Sequence, residues 1–427
     1  MTRTRITDPL TGEGCICIRS EGAPELRIME QPGFHTVSAQ LGVRCGSVGC
    51  RYRKNGQIYT VQAGTAHFLE HKMFDSPAGD MAVQFARLGA SENAFTAFDR
   101  TVYYFSAQQN IPQALRLLPA LVQTPYFLPD RVDRERLIIA QEIQEYSLDS
   151  PEDRVFFQLL EGLYHAHPVR CDVAGSLSSI TEITPELLYQ LHRDFYRPEN
   201  MVLCCAGNLT EEQVLEAASG LHCDTSEPLP EVLLPEEPEA PRLPLIRSEM
   251  DVGKTQFALG FKSAPVQGTE LLRQTLLGEL VLDLLAGPSS PFYRSMLSQG
   301  LINDTFATSA FTGSSWFALI AEGESDEPER VREAFFAAAA DACRNGIDEQ
   351  RFAELKAAAY GDAVLSCNSP GACAEAMLDA AMWEISSPFA RTALLPALTP
   401  EDACRCIAQR LLPAQSCLSV IDPSPAE

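Results

Sequence analysis

The chain has 427 residues, 45% hydrophobic and 21% charged, an ordinary globular composition that excludes a disordered or fibrous protein and predicts two or three domains at roughly 100–200 residues each. Fifty-seven acidic against 33 basic residues leave a net charge of -24, which excludes the cationic face that a nucleic-acid backbone requires. No segment approaches the roughly 18 apolar residues of a membrane span and the opening residues lack an apolar export segment, so no membrane association is predicted. Fourteen cysteines fall well short of a disulfide scaffold. A cytoplasmic protein with reduced thiols is expected.

Taken in chain order, 26–30 and 36–43 read as strands, and 63–74 and 81–88 as helices. Two alternating runs follow at 92–98 and 100–107, with Asp99-Arg100 as a hairpin turn. Apolar spacings of three and four then predict helices at 111–122, 131–146, 152–164 and 185–195 before a strand at 201–206. Between Asp224 and Ser248, six prolines stand among acidic residues without helical or alternating period, as in a semi-rigid spacer. Beyond it the order repeats, with strands at 256–262, 305–311 and 316–321, helices at 271–285 and 291–298, and helices closing the chain. Helix, Ser-Pro break and helix recur around Ser150-Pro151 and Ser369-Pro370. The prediction is an α+β protein of two related domains, each an antiparallel-rich sheet packed against helices: 1–223, a Pro/Glu-rich linker at 224–248, and 249–427.

The chemistry is concentrated in AHFLEHKMF. His67, Glu70 and His71 stand at i, i+3 and i+4, one helix face, so both imidazoles can grip one ion while Glu70 stands beside its open position. Two histidines and a carboxylate around zinc leave a fourth site for water, whose proton an adjacent carboxylate can take. The bland alternative is coincidence, with a chance expectation of roughly one in a hundred. A third ligand must come from elsewhere. In DRERLIIAQEIQEY, Glu135 and Glu142 are two turns apart on one face, with Glu145 and Asp133 nearby. Such a run alone would be a solvated acidic face; beside the upstream motif, Glu142 is the best third ligand. Nitrogen and oxygen donors do not exclude manganese or cobalt; availability favours Zn2+.

These residues resemble the insulinase/pitrilysin family of zinc metallopeptidases, whose motif inverts the usual His-Glu-x-x-His order. Beside HFLEHKMF, the similarity runs through LGASENAFTAFDRTVYYFS, ERLIIAQEIQEY with Asp149, Ser150 and Pro151, and ITPELLYQLHRDFYRPENMVLCCAGNL. The resemblance implies His67, His71 and Glu142 as zinc ligands, Glu70 as general base and Glu135 as a carboxylate supporting the site. It further implies that an extended peptide adds as a strand beside 91–98, meeting Asn93, Ala94, Phe95 and Thr96; the alternative is that ENAFTAF is an interior strand.

The second half departs from that pattern. No histidine follows His222, so zinc is expected in the first domain alone. Met296 and Asn303 occupy positions where family members usually carry an arginine and a tyrosine, and Arg294 is two residues out of register. The resemblance is to bacterial processing-peptidase-like members, which implies a zinc endopeptidase working with a related subunit, as heterodimer or homodimer. The competing reading is a catalytically silent maturation subunit that retains the zinc site. His165 and His167 read as a structural turn before Pro168, and Cys204 and Cys205 as packing residues.

Overall fold

The computed structural model describes residues 1–222 and 227–425. It forms two compact α+β units, each assembled from three stretches of chain: Met1–Ile143, Asp172–Leu234 and Val364–Phe389 in the first, Gln144–Cys171, Pro235–Ala363 and Ala390–Glu427 in the second. Contiguous halves were the expectation. The difference lies in the two Ser-Pro helices, since Pro151–Leu163 belongs to the second unit and Pro370–Met382 to the first.

The sheets share one plan. In the first unit the strands run Thr2–Thr7, Gly14–Arg19, Glu25–Glu30, Met201–Gly207, Val37–Val43, Thr101–Ala107, Ser91–Thr96. In the second they run Leu245–Met250, Ser416–Pro423, Gln256–Lys262, Trp316–Glu324, Ala307–Gly313. Each holds a single parallel pair, Glu25–Glu30 with Met201–Gly207 and Leu245–Met250 with Ser416–Pro423. The last five strands of the first sheet and all five of the second follow the same chain order, which fits the duplication read from the Ser-Pro breaks.

Central strands are covered on both faces. Met201–Gly207 is buried throughout; Leu203 and Cys205 enter the core on one side, Val202 and Cys204 the core under Pro370–Met382 on the other. A glycine admits each covering helix closely. A Cβ on Gly42 would stand 2.4 Å from Met382 Cε, and one on Gly260 would stand 2.9 Å from Leu159 Cδ2.

Several expectations are corrected. The chain closes on the strand Ser416–Pro423, not on helices. The proline-rich stretch contributes two strands, Glu231–Val232 beside Arg51–Lys54 and Leu245–Met250. The helix read over 131–146 is α-helical only across Pro129–Glu142, then widens into a π-helical turn at Ile143–Leu148.

His167 behaves as a turn residue. Its Nδ1 accepts the Val169 amide at 3.1 Å and caps the short helix Pro168–Arg170. Burial lowers its pKa to about 4, with nearby Lys262 adding and Glu237 opposing, and its Nε2 is buried without a hydrogen-bond partner. The unfolded chain therefore takes up this proton near pH 6.5 and the folded chain only near 4. The stability it contributes is present above pH 6.5 and is lost as pH falls through that window, by up to about 1.4 kcal/mol per pH unit. Urea titrations at pH 7 and pH 5 are expected to show a smaller pH dependence for His167→Gln than for the natural chain.

Candidate active site

The helix Thr65–Met73 starts at Gly64, whose φ of 88° is left-handed. A side chain there would meet the Ala174 carbonyl oxygen at 2.4 Å, and one on Gly175, also left-handed, the Ala63 carbonyl oxygen at 2.6 Å. Glycine at both positions lets the two backbones interlock. The same loop holds the second helix, because the Arg136 guanidinium donates to the Ile180 and Ile183 carbonyls at 3.1 and 2.8 Å. Both helices that carry the candidate residues are thus anchored to one stretch of chain.

Phe68, Leu69 and Met73 bury one side of the first helix. His67 and Glu70 are also buried, at 8% and 7% exposure. His67 Nε2 lies 3.4 Å from Glu142 Oε1, and His71 Nε2 lies 3.5 Å from Glu142 Oε2. Both separations exceed a good N–H···O bond of about 2.7–3.2 Å. They match instead the roughly 3.3–3.4 Å between neighbouring ligand atoms around an ion held tetrahedrally by bonds of about 2.0–2.1 Å. One donor atom from each of the three residues lies within 4.8 Å of the others, a group that could hold a metal ion.

Glu135 stands behind this group. Its Oε1 meets His71 Nδ1 at 3.0 Å; a proton on Nδ1 leaves the Nε2 lone pair facing Glu142. Its Oε2 meets the Lys72 ammonium at 3.3 Å, and that ammonium also bonds Asp75 Oδ2 at 2.5 Å. Arg131 reaches Asp75 from the second helix at 3.1 Å. Lys72 is only 2% exposed, a buried cation whose partners compensate it. The sequence reading missed Lys72, Asp75 and Arg131, although a lysine directly after the second histidine, on the buried side of the helix, was the available signal.

The electrostatics separate the carboxylates. Burial pushes the Glu70 pKa up, against the pull of His67 and the Thr96 hydroxyl, which donates to Glu70 Oε2 at 2.8 Å. Glu142 is held below the ordinary carboxylate range, first by His67. Burial would raise Glu135, but His71 and Lys72 bring it down. For His71 burial acts to lower the pKa, and Glu135, Glu70 and Glu142 together raise it.

Ser91–Thr96 is the edge strand of the seven-stranded sheet, paired with Thr101–Ala107. It is not an interior strand. An open cleft of about 530 Å³ lies between it and the two helices, lined by His67, Glu70, His71, Phe74, Glu142 and all of Asn93 to Thr96. Of the residues to which the family resemblance gives a role at the zinc or the peptide, all but Glu135 line this cleft. In the second unit, Met296 is buried on the helix Pro291–Ser298, and Asn303 donates to Glu324 Oε2 at 2.7 Å while accepting from the Thr305 hydroxyl at 2.6 Å. No helix among the described residues is long and apolar enough to cross a membrane.

An α+β fold of paired sheets with an inverted His-x-x-Glu-His helix facing a distant glutamate defines a metallopeptidase-type protein. Residues 29–176 match the family described as Insulinase (Peptidase family M16), and residues 182–359 match Peptidase M16 inactive domain. The chain belongs to the M16 insulinase family. It is 36% identical over 318 residues to the zinc protease YmfH of Bacillus subtilis, covering 72% of this chain and 74% of that one. A Schizosaccharomyces pombe protein named for the beta subunit of mitochondrial-processing peptidase is 31% identical over 44% of this chain and 40% of its own. Among solved structures, an M16-like peptidase from Alicyclobacillus acidocaldarius superposes with a TM-score of 0.93 at 30% identity, covering 99% of this chain and 100% of that one.

Proposed function

We propose that the protein is a zinc-dependent endopeptidase that cleaves extended peptides. The observation that carries this reading is the placement of Glu70 in one cleft with the convergent His67, His71 and Glu142 donors and the free edge of Ser91–Thr96. His67, His71 and Glu142 would hold the zinc, which when bound acidifies water and polarises a carbonyl. The edge strand offers amides and carbonyls to a peptide backbone, so affinity comes from the main chain and selectivity from the side chains of Asn93, Phe95 and their neighbours. Glu70 Oε1, the oxygen not engaged by Thr96, takes the proton of the attacking water and delivers it to the leaving amine. Burial draws this carboxyl upward from its ordinary pKa, and an acid-base group works best near ambient pH.

Glu135 orients His71 in this scheme. Glu135→Gln is expected to weaken zinc binding about 10–100-fold, read by competition with a chromogenic chelator.

A related subunit is proposed to complete the substrate chamber. Met296 is buried and Asn303 is tied to Glu324 and Thr305, so neither offers the charged or phenolic group of the family's usual pair. The second reading, a silent maturation subunit, draws on the same observation. Purified chain with zinc, incubated with a mixture of unrelated peptides and analysed by mass spectrometry with and without a co-expressed related subunit, decides between them. Cleavage in either condition supports the peptidase. No cleavage in both, with zinc bound stoichiometrically, overturns it.

A further inference from the structure

Outside the cleft, the strand Gly14–Arg19 carries two cysteines on one face. Cys15 is buried and Cys17 half-buried, their sulfurs 3.7 Å apart. Register places Arg27 directly across from Cys17, with Cys204 on its far side. Arg27 is fully buried. Its Nε meets Glu25 Oε1 at 2.7 Å and its Nη2 donates to the Ile385 carbonyl at 2.9 Å, but Nη1 has no hydrogen-bond partner.

Glu25 is shared with Arg19, 3.0 Å away. Arg44, whose Nη2 donates to the Ala381 carbonyl, brings a further guanidinium, with Glu384 nearby. Arg27 is ion-paired with that shared Glu25, and a buried cation with an incomplete set of partners is costly. A thiolate at Cys17, opposite Arg27 in the ladder, would add a negative charge beside it. Arg19, Glu25 and Arg44 line an open cavity of about 1020 Å³ that brings solvent to this end of the strands.

We propose that Cys17 is a site of reversible oxidation by hydrogen peroxide, with Cys15 as its resolving thiol. The Cys15 sulfur 3.7 Å away is the main influence holding the Cys17 thiol below its ordinary pKa; burial and Glu25 oppose this, and Arg27 and Arg19 add to it. Cys15 is pushed the other way by that same contact and by burial, and its sulfur also lies 3.5 Å from Met377 Sδ. A thiolate beside arginines, partly exposed and next to a second thiol, is the environment in which cysteines oxidise selectively. The Cys17 sulfur forms a bond to one peroxide oxygen as the O–O bond breaks, and the departing hydroxide becomes water with a solvent proton. The Cys15 sulfur then attacks Cys17; the S–S bond forms, the S–O bond breaks, and the Cys15 proton leaves with the hydroxyl as water. The sulfur pair loses two electrons and the peroxide gains them. Same-face strand positions are about 6.6–6.8 Å apart, at the upper limit for a disulfide, so this bond is strained and readily reduced.

The test is peptide mass spectrometry on the full chain after one equivalent of hydrogen peroxide. Cys171 and Cys343, which are more exposed, serve as internal references. The expected result is loss of two hydrogens from the peptide holding Cys15 and Cys17, restored by dithiothreitol, while the reference peptides stay unchanged. In Cys15→Ser, dimedone is expected to trap a sulfenic acid on Cys17. Oxidation of Cys171 or Cys343 with Cys17 still reduced overturns the proposal. So does a Cys17 sulfenic acid in the natural chain that never becomes a disulfide. Both readouts use the unmutated protein and stand even if the serine variant misfolds.

Discussion

Glu70→Gln is expected to lower kcat/KM for peptide cleavage by about 10²–10⁴-fold, the range for loss of a positioned acid-base group, while zinc content stays that of the natural chain. The amide keeps the volume of the carboxyl and can still bond the Thr96 hydroxyl, now 2.8 Å from Glu70 Oε2, so the helix Thr65–Met73 has no reason to shift. What disappears is the proton acceptor. Glu70 sits 7% exposed beside two imidazoles, where burial raises its pKa and His67 and the Thr96 hydroxyl oppose the rise. That balance suits a group that must both take and return a proton. Steady-state rates on a cleaved peptide, with zinc measured on the same samples by atomic emission, separate the chemistry from the metal. Unchanged turnover at full zinc occupancy would refute the role of Glu70; lost turnover with lost zinc would place Glu70 among the metal's supports instead.

Much of this site was legible because its parts obey short-range rules. The i, i+3, i+4 spacing of His67, Glu70 and His71 is fixed by helix geometry whatever the fold, and the seven-residue spacing of Glu135 and Glu142 put both on the face that meets His71. Alternation in ENAFTAF identified a strand but could not tell edge from interior, because that depends on which strands pair, and pairing is not local. Lys72 escaped notice for a similar reason: Asp75 is three residues away, but the contacts of Lys72 with Glu135 and of Asp75 with Arg131 form only after two helices pack. The N-terminal strand Thr2–Thr7, the hairpin Arg51–Lys54 with Gln57–Thr60, and Leu245–Met250 carry charged or turn-like sequence and are held by ladder bonds to other strands more than by an apolar pattern of their own. The exchange of the two Ser-Pro helices is the extreme case. Sequence marks the break at Ser150-Pro151 and Ser369-Pro370, and both serines cap the helices that follow, but nothing local says which sheet each helix will cover.

Glu142→Ala is expected to abolish stoichiometric zinc binding, a larger loss than the about 10–100-fold weakening predicted for Glu135→Gln, because it removes a donor and not the support of one. The two imidazoles would remain 4.6 Å apart between ring centroids, with two of the three protein ligands a zinc site of this type needs. Stability supplies an independent reading. A ligand at about 100 times its Kd stabilises the folded state by about 2.7 kcal/mol, so added zinc should raise the thermal midpoint of the natural chain and leave that of Glu142→Ala unmoved. Global misfolding is not expected to confuse the result. Glu142 closes its helix with a side chain 34% exposed, and the segment's anchors, Arg136 on the Ile180 and Ile183 carbonyls and the buried Val132 and Ile139, lie elsewhere. If the variant binds zinc with natural affinity, the third donor is another group, and the convergence of Glu142 on His67 and His71 would then be a contact between a carboxylate and two imidazoles with no ion between them.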